Sequence, residues 1–211
     1  MILNSSLQLW IRTLILEEEN KMEVKIFVEG YCDKRLIEDY ISHLKLQKGF
    51  EVIYTGGKDK IKTQIPTIKK FNDQEHKVAV IFDSDKNFKN RLADLEKLKN
   101  ENEIIFDIFL FPNHKDAGTI EDLLLNIYNP IYQPVFDCLD AYEKCLTKNG
   151  QYKVPIKKGK IYGFLDAVLP IEEEDKVKDN KREFIGNDYW LLDNAYLKPL
   201  EEFLLKYKVE L

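Results

Sequence analysis

Lys77-Val78-Ala79-Val80-Ile81-Phe82-Asp83-Ser84-Asp85 is the stretch on which the fold turns. An unbroken apolar run closing on two acids reads as a buried β-strand that stops on a carboxylate. Val24-Lys25-Ile26-Phe27-Val28-Glu29-Gly30, followed by Asp33, repeats the design earlier in the chain. In an open parallel α/β sheet the carboxyl ends of the strands form one rim, and ligands bind there. If both runs lie in one sheet, Glu29, Asp33, Asp83 and Asp85 converge on that rim. Clustered carboxylates repel one another unless a cation sits among them, and a divalent metal is the usual answer. These residues therefore form a candidate site for metal-dependent phosphoryl chemistry.

Outward from these two runs, strand and helix patterns alternate. After the strand 24–28, residues 33–44 carry Leu36, Ile37, Tyr40, Ile41 and Leu44 at helical spacing. A short strand over 50–54 ends on Thr55-Gly56-Gly57. A helix is expected over 61–71, with Pro66 as a kink or a new first turn. The strand 77–82, a polar-faced helix 87–100 and an apolar strand 104–111 follow, the last ended by Pro112. Thr119 is placed to cap a helix running to residue 126. Such alternation implies a parallel sheet. Beyond Pro130 the pattern becomes helical over 135–146 and 160–169. A charge-dense loop follows at 172–182, then a closing amphipathic helix at 195–208. The expected organisation is an α/β core over 22–129 with a helical extension, 130–211, packed on it. Residues 1–21, ahead of Met22, read as an extension before the true start or as a small flanking helix.

The 211 residues are 44% apolar and 33% charged, enough for a full core, with a net charge of −5. A protein holding nucleic acid mainly by neutralising phosphates is normally basic. Any such contact here is expected to be local, metal-mediated or shared with a partner. Cys32, Cys138 and Cys145 form no CxxC pair, and the three histidines are scattered, which argues against structural zinc. A reducing, cytoplasmic setting fits, and no run approaches membrane-spanning length.

Glu29 at a strand end points into the rim, and Gly30 lets the backbone turn sharply. Asp33, about one helical turn later, can sit beside it. In an extended Asp83-Ser84-Asp85 both carboxylates face one side, and such hard oxygen ligands suit Mg²⁺ or Mn²⁺. Each signature alone also fits a helix cap, a solvated strand end or an ordinary turn.

In this order, VEGxxD after the first strand and FDxD after the third, the chain resembles the TOPRIM domain of topoisomerases, bacterial primases and several nucleases. The resemblance covers residues 22–126 and implies a TOPRIM-like (Rossmann-like) core with a four-stranded parallel sheet flanked by helices. Tyr54-Thr55-Gly56-Gly57-Lys58 resembles the GGK turn of nucleases related to the overcoming-lysogenization-defect group. There, the backbone of Gly56 and Gly57 would approach a phosphate, with Lys58 as a nearby charge. Gly118-Thr119-Ile120-Glu121-Asp122-Leu123-Leu124 is similar to that group's fourth-strand segment. Glu121 is then a further metal ligand, or else a helix-start acid favoured by the macrodipole. The C-terminal part looks like a small family of stand-alone TOPRIM-related proteins.

The resemblance implies Mg²⁺- or Mn²⁺-dependent phosphodiester hydrolysis on DNA or RNA. Glu29, Asp83 and Asp85 would hold metal, with Asp33 and Glu121 completing the set. Residues 151–160 contain four lysines and no acid, and Lys160 is the positional candidate for contacting the scissile phosphate. Zinc-ribbon cysteines, gate domains and a Walker A sequence are missing, so any ATPase partner would be a separate chain. Two alternatives stand beside this. One is a metal- and nucleotide-binding or nucleic-acid-binding module without turnover. The other is a haloacid-dehalogenase-type phosphatase using Asp83 as nucleophile, which leaves Glu29-Gly30 unexplained.

Overall fold

Four strands, β1 (Val24–Val28), β2 (Phe50–Tyr54), β3 (Lys77–Asp83) and β4 (Asp107–Phe111), pair in parallel in the order β2-β1-β3-β4. The computed structural model describes residues 23–46 and 49–208, with only the backbone at Lys58, Asp59 and Asn149. The 1–21 extension lies outside the described residues. Three crossover helices link the strands: α1 (Tyr31–His43), α2 (Ile65–Asp73) and α3 (Phe88–Asn102). After β4 come α4 (Ile120–Ile127), α5 (Gln133–Asn149), α6 (Lys157–Val168) and α7 (Lys198–Leu205). This is an α/β, Rossmann-like sheet with a mainly helical extension.

The period-two alternation of the strands explains the layering. Val24, Ile26 and Val28 of β1, with Ala79, Ile81, Phe109 and Phe111, share one core with α1 and α4. Phe27, Val78, Val80, Phe82, Ile108 and Leu110 face the opposite core, with Ile68 of α2 and Leu95 and Leu98 of α3. The first core also takes Phe136, Ile161, Phe164, Leu200 and Leu204 from the extension, so residues beyond 130 share one hydrophobic interior with the sheet.

Several element boundaries differ from expectation. The helix expected at 61–71 is a 3₁₀ segment, Lys58–Gln64, followed by α2, with Pro66 in the first turn of α2 where its missing N–H is harmless. β4 starts at Asp107 rather than residue 104. The Asn72 side chain takes both backbone groups of Ile105, accepting from its N–H at 2.8 Å and donating to its carbonyl at 2.9 Å. Within the expected loop 172–182, Ile171–Val177 forms a 3₁₀ segment.

The strand order fixes where a ligand can enter. The chain leaves β1 toward β2 on one side and reaches β3 and β4 on the other. The crevice at the carboxyl ends of β1 and β3 is therefore the topological switch point, where open α/β sheets bind ligands. Val28 is in register with Ile81, and Asp83 with Phe111, so Glu29 and Asp83 both emerge at that crevice.

Candidate functional site

Glu29 is the first residue past β1, and Gly30 caps α1. The Gly30 N–H donates to Asp33 Oδ2 at 2.7 Å, which draws the Asp33 carboxylate back into the crevice, where it is 4% exposed. From α3, Arg91 Nη2 reaches Glu29 Oε1 at 2.7 Å, with each side chain 12% exposed. The Arg91 guanidinium also lies 5.3 Å from the centre of the Phe82 ring.

Asp83 closes β3, and its Oδ1 accepts from the Ile120 N–H, the first of α4, at 2.8 Å. The buried Ser84 hydroxyl then locks the strand end to the loop before α4. It accepts from the Gly118 N–H at 2.8 Å and lies within hydrogen-bond reach of the Asp116 and Gly118 carbonyls. Gly118 sits at φ +155, and a Cβ there would stand 2.8 Å from Asp122 Oδ2 and 3.1 Å from Pro112 Cδ, so glycine is required. The Thr119 hydroxyl donates to Glu121 Oε2 at 2.7 Å, while the Thr119 N–H donates to Asp122. Thr119 thus turns Glu121 toward the rim as it caps α4.

The Asp83-Ser84-Asp85 segment is not extended. Asp85 has φ +53, and its N–H donates to the Gly118 carbonyl at 2.9 Å. The Ser84 lock bends the chain one residue past the strand, so the period-two rule that aligned Asp83 with Asp85 lapses there. Gly56 and Gly57, at φ +92 and +123, form an open turn after β2 at the same rim. Thr55 anchors that turn by bonding to the Val28 carbonyl. The Lys58 side chain lies outside the description.

The acids act on one another. Burial pushes Asp33 up to about 7 against the pull of the Gly30 N–H, and the charges of Glu29, Glu121 and Asp179 add to the rise. Burial pushes Asp83 up to about 9, with Asp33, Glu29 and Glu121 adding, and the Ile120 N–H only partly offsets this. Glu29, Asp33, Asp83 and Glu121 therefore share one crevice. Among the described residues, however, no set of three or more His, Cys, Asp or Glu side chains is disposed to hold a metal ion as it stands. The reason is local: Glu29 is turned to Arg91, Asp33 to Gly30, Asp83 to Ile120 and Glu121 to Thr119.

The extension contributes groups that strand-end reasoning did not reach. Asp179 joins the electrostatics of Asp33 and pairs with Lys158 at 2.5 Å and with Arg182 at 3.2 Å. Arg182, 3% exposed, donates to Cys32 Sγ at 3.1 Å and to the Val177 carbonyl at 2.7 Å. The backbone around it clasps α1: Arg35 bonds the Arg182 carbonyl, and the Phe184 N–H donates to Asp39 at 2.7 Å. Lys158 also feels the Glu121 charge. Lys160 instead pairs with Asp140 and Glu143 on α5. Both lysines line an open groove of about 690 Å³ that begins at Thr119 and Glu121 and continues past Leu125, Pro155 and Ile156.

The model of a family described as "Protein of unknown function (DUF3226)" matches residues 23–207. The chain belongs to that family. No curated protein and no solved structure matches the chain. The match runs through β1, the acidic crevice and the clasp, so the DUF3226 family comprises both the sheet and its extension. Because the family description carries no activity, the chemistry of this DUF3226 protein rests on its residues. Among the described residues, no helix is long and apolar enough to cross a membrane.

Proposed function

We propose that this protein is a TOPRIM-like catalyst of Mg²⁺- or Mn²⁺-dependent phosphodiester hydrolysis on nucleic acid. The observation that carries the reading is the meeting of Glu29, Asp33, Asp83 and Glu121 in the β1/β3 crevice, with burial and mutual repulsion lifting Asp33 and Asp83. The donor set fits the metal in kind, since all four are hard carboxylate oxygens. Carboxyls that hold protons for want of a cation give them up when one arrives.

Glu29, Asp83, Asp33 and Glu121 would hold the ion, and Asp85 stands on the adjoining turn. When bound, the ion supplies an activated water and positive charge opposite the developing phosphoryl charge. The remaining work falls to the chain. The Gly56-Gly57 turn offers backbone N–H groups at the rim, Lys158 stands beside Glu121, and Lys160 lines the groove through which a strand would lead away. Tyr31, exposed at the start of α1 and stacked on Tyr54 at 4.2 Å, offers a ring face to a base. A cytoplasmic setting, and a separate ATPase or other protein partner, accord with this reading.

Incubation with single- and double-stranded DNA and RNA in Mg²⁺ or Mn²⁺, beside Glu29→Gln and Asp83→Asn, tests the proposal. Cleavage that requires metal and disappears in both variants is expected. Metal binding without cleavage of any substrate would leave the module reading, and cleavage surviving both substitutions would refute the site.

A further inference from the structure

Arg91 brings a positive charge into the acidic crevice from α3, on the opposite side of the sheet from α1. Its bond to Glu29 at 2.7 Å uses Nη2, while its Nε is buried and makes no hydrogen bond among the described residues. A guanidinium committed to a structural pair commonly presents two parallel N–H groups to its carboxylate. Here a desolvated donor is left unmet beside the place where substrate would bind. Glu29 is also the strand-end acid that a metal would need.

We infer that Arg91 is an exchangeable counter-ion of Glu29. It holds that carboxylate in the crevice until a divalent ion takes it, and then turns its guanidinium to an anionic substrate. The inference rests on the metal-site reading above. A guanidinium and a divalent ion compete for one carboxylate because their mutual repulsion is strong in a buried site. Once displaced, the guanidinium has five N–H donors and no acceptor, and phosphate oxygens are their geometric complement. Metal and polyanion then bind cooperatively, each strengthening the other by the same factor. Arg91 is in this sense a positioning residue for Glu29 and a substrate contact afterwards.

The test is Mn²⁺ binding to wild type, Arg91→Gln and Arg91→Lys, each with and without a single-stranded hexathymidylate carrying cleavage-resistant phosphorothioate linkages. Without the oligonucleotide, Arg91→Gln should bind Mn²⁺ about tenfold more tightly than wild type, because a competing charge is gone. With it, Mn²⁺ affinity should rise several-fold in wild type and stay unchanged in Arg91→Gln. Arg91→Lys keeps the charge without the planar fork, so it should keep wild-type Mn²⁺ affinity and lose most of the coupling, whether or not the glutamine variant folds. Equal Mn²⁺ affinity in wild type and Arg91→Gln, or full coupling in Arg91→Lys, overturns the inference and leaves the metal site standing. Mn²⁺ binding to none of the three overturns the metal-site reading, and the inference with it.

Discussion

Replacing Asp83 with asparagine should stabilise the protein, and increasingly so as pH rises. In the folded chain Asp83 is pushed up to about 9, whereas an unfolded aspartate titrates near ~3.9. Between those values the folded state holds a proton that the unfolded state has released. Stability is therefore fully present below about pH 4 and falls as pH climbs toward 9, with a limiting slope of about 1.4 kcal/mol per pH unit. At pH 7 roughly three units of that window have been crossed, an upper bound of ~4 kcal/mol. Asparagine keeps an oxygen to accept the Ile120 N–H and carries no charge toward Asp33, Glu29 and Glu121. A gain of about 2–4 kcal/mol at pH 7 is expected, or roughly 5–15 °C in Tm for a chain of this size. Thermal melts of both proteins at pH 4.5, 7 and 8.5, without divalent ions, measure it. The difference should widen from the first pH to the last. Saturating Mn²⁺ should raise the Tm of wild type more than that of the variant, since asparagine offers the ion a neutral oxygen in place of a charged one. A Tm difference that stays flat across pH, or an asparagine variant less stable throughout, would refute the reasoning.

Gly118→Ala forces a Cβ to within 2.8 Å of Asp122 Oδ2 at φ +155 and should lower urea-unfolding stability by about 1–3 kcal/mol. Arg182→Met removes the buried cation from Asp179, Cys32 and the Val177 carbonyl. A loss of roughly 2–3 kcal/mol is expected, moderated because Asp179 keeps Lys158, and calorimetry would read it. In the cleavage assay Lys158→Ala should reduce turnover more than Lys160→Ala, because Lys158 pairs with Asp179 beside Glu121 while Lys160 is held by Asp140 and Glu143. The reverse order would restore Lys160 to the phosphate-contacting role.

The strands were legible because apolar runs, broken only by Lys25, leave little else for residues 24–28 and 78–82 to be. Glu29, Asp33, Asp83 and Glu121 were legible for a related reason: each sits at a strand end or helix start whose direction the topology dictates. The extended geometry expected through Asp85 fails because the same logic was carried one residue too far. Nothing near Ser84 in the sequence announces that its hydroxyl is tied to a loop thirty-four positions away. Arg91 looked like one more charge on a polar-faced helix. Asp179 and Arg182 lay in a stretch so rich in charge that a solvated loop was the natural reading. The burial of Arg182 depends on α1, about 150 residues earlier, and no local pattern encodes contacts of that span. Lys160 was chosen by position along the chain, and its α5 partners are visible only once the helices are packed.

The clasp between residues 177–184 and α1 also imposes an order of events on a growing chain. Its bonds join positions 150 and 145 apart, from Arg182 to Cys32 and from Phe184 to Asp39. Contacts of such separation form late, after the local helices and the neighbouring strands. A chain interrupted before residue 177 would hold every strand-end carboxylate and lack the segment that brings Asp179 and the buried Arg182 to them. Completion of the clasp beside the crevice is thus deferred until almost the whole chain exists, so an unfinished product carries the acids without their finished surroundings.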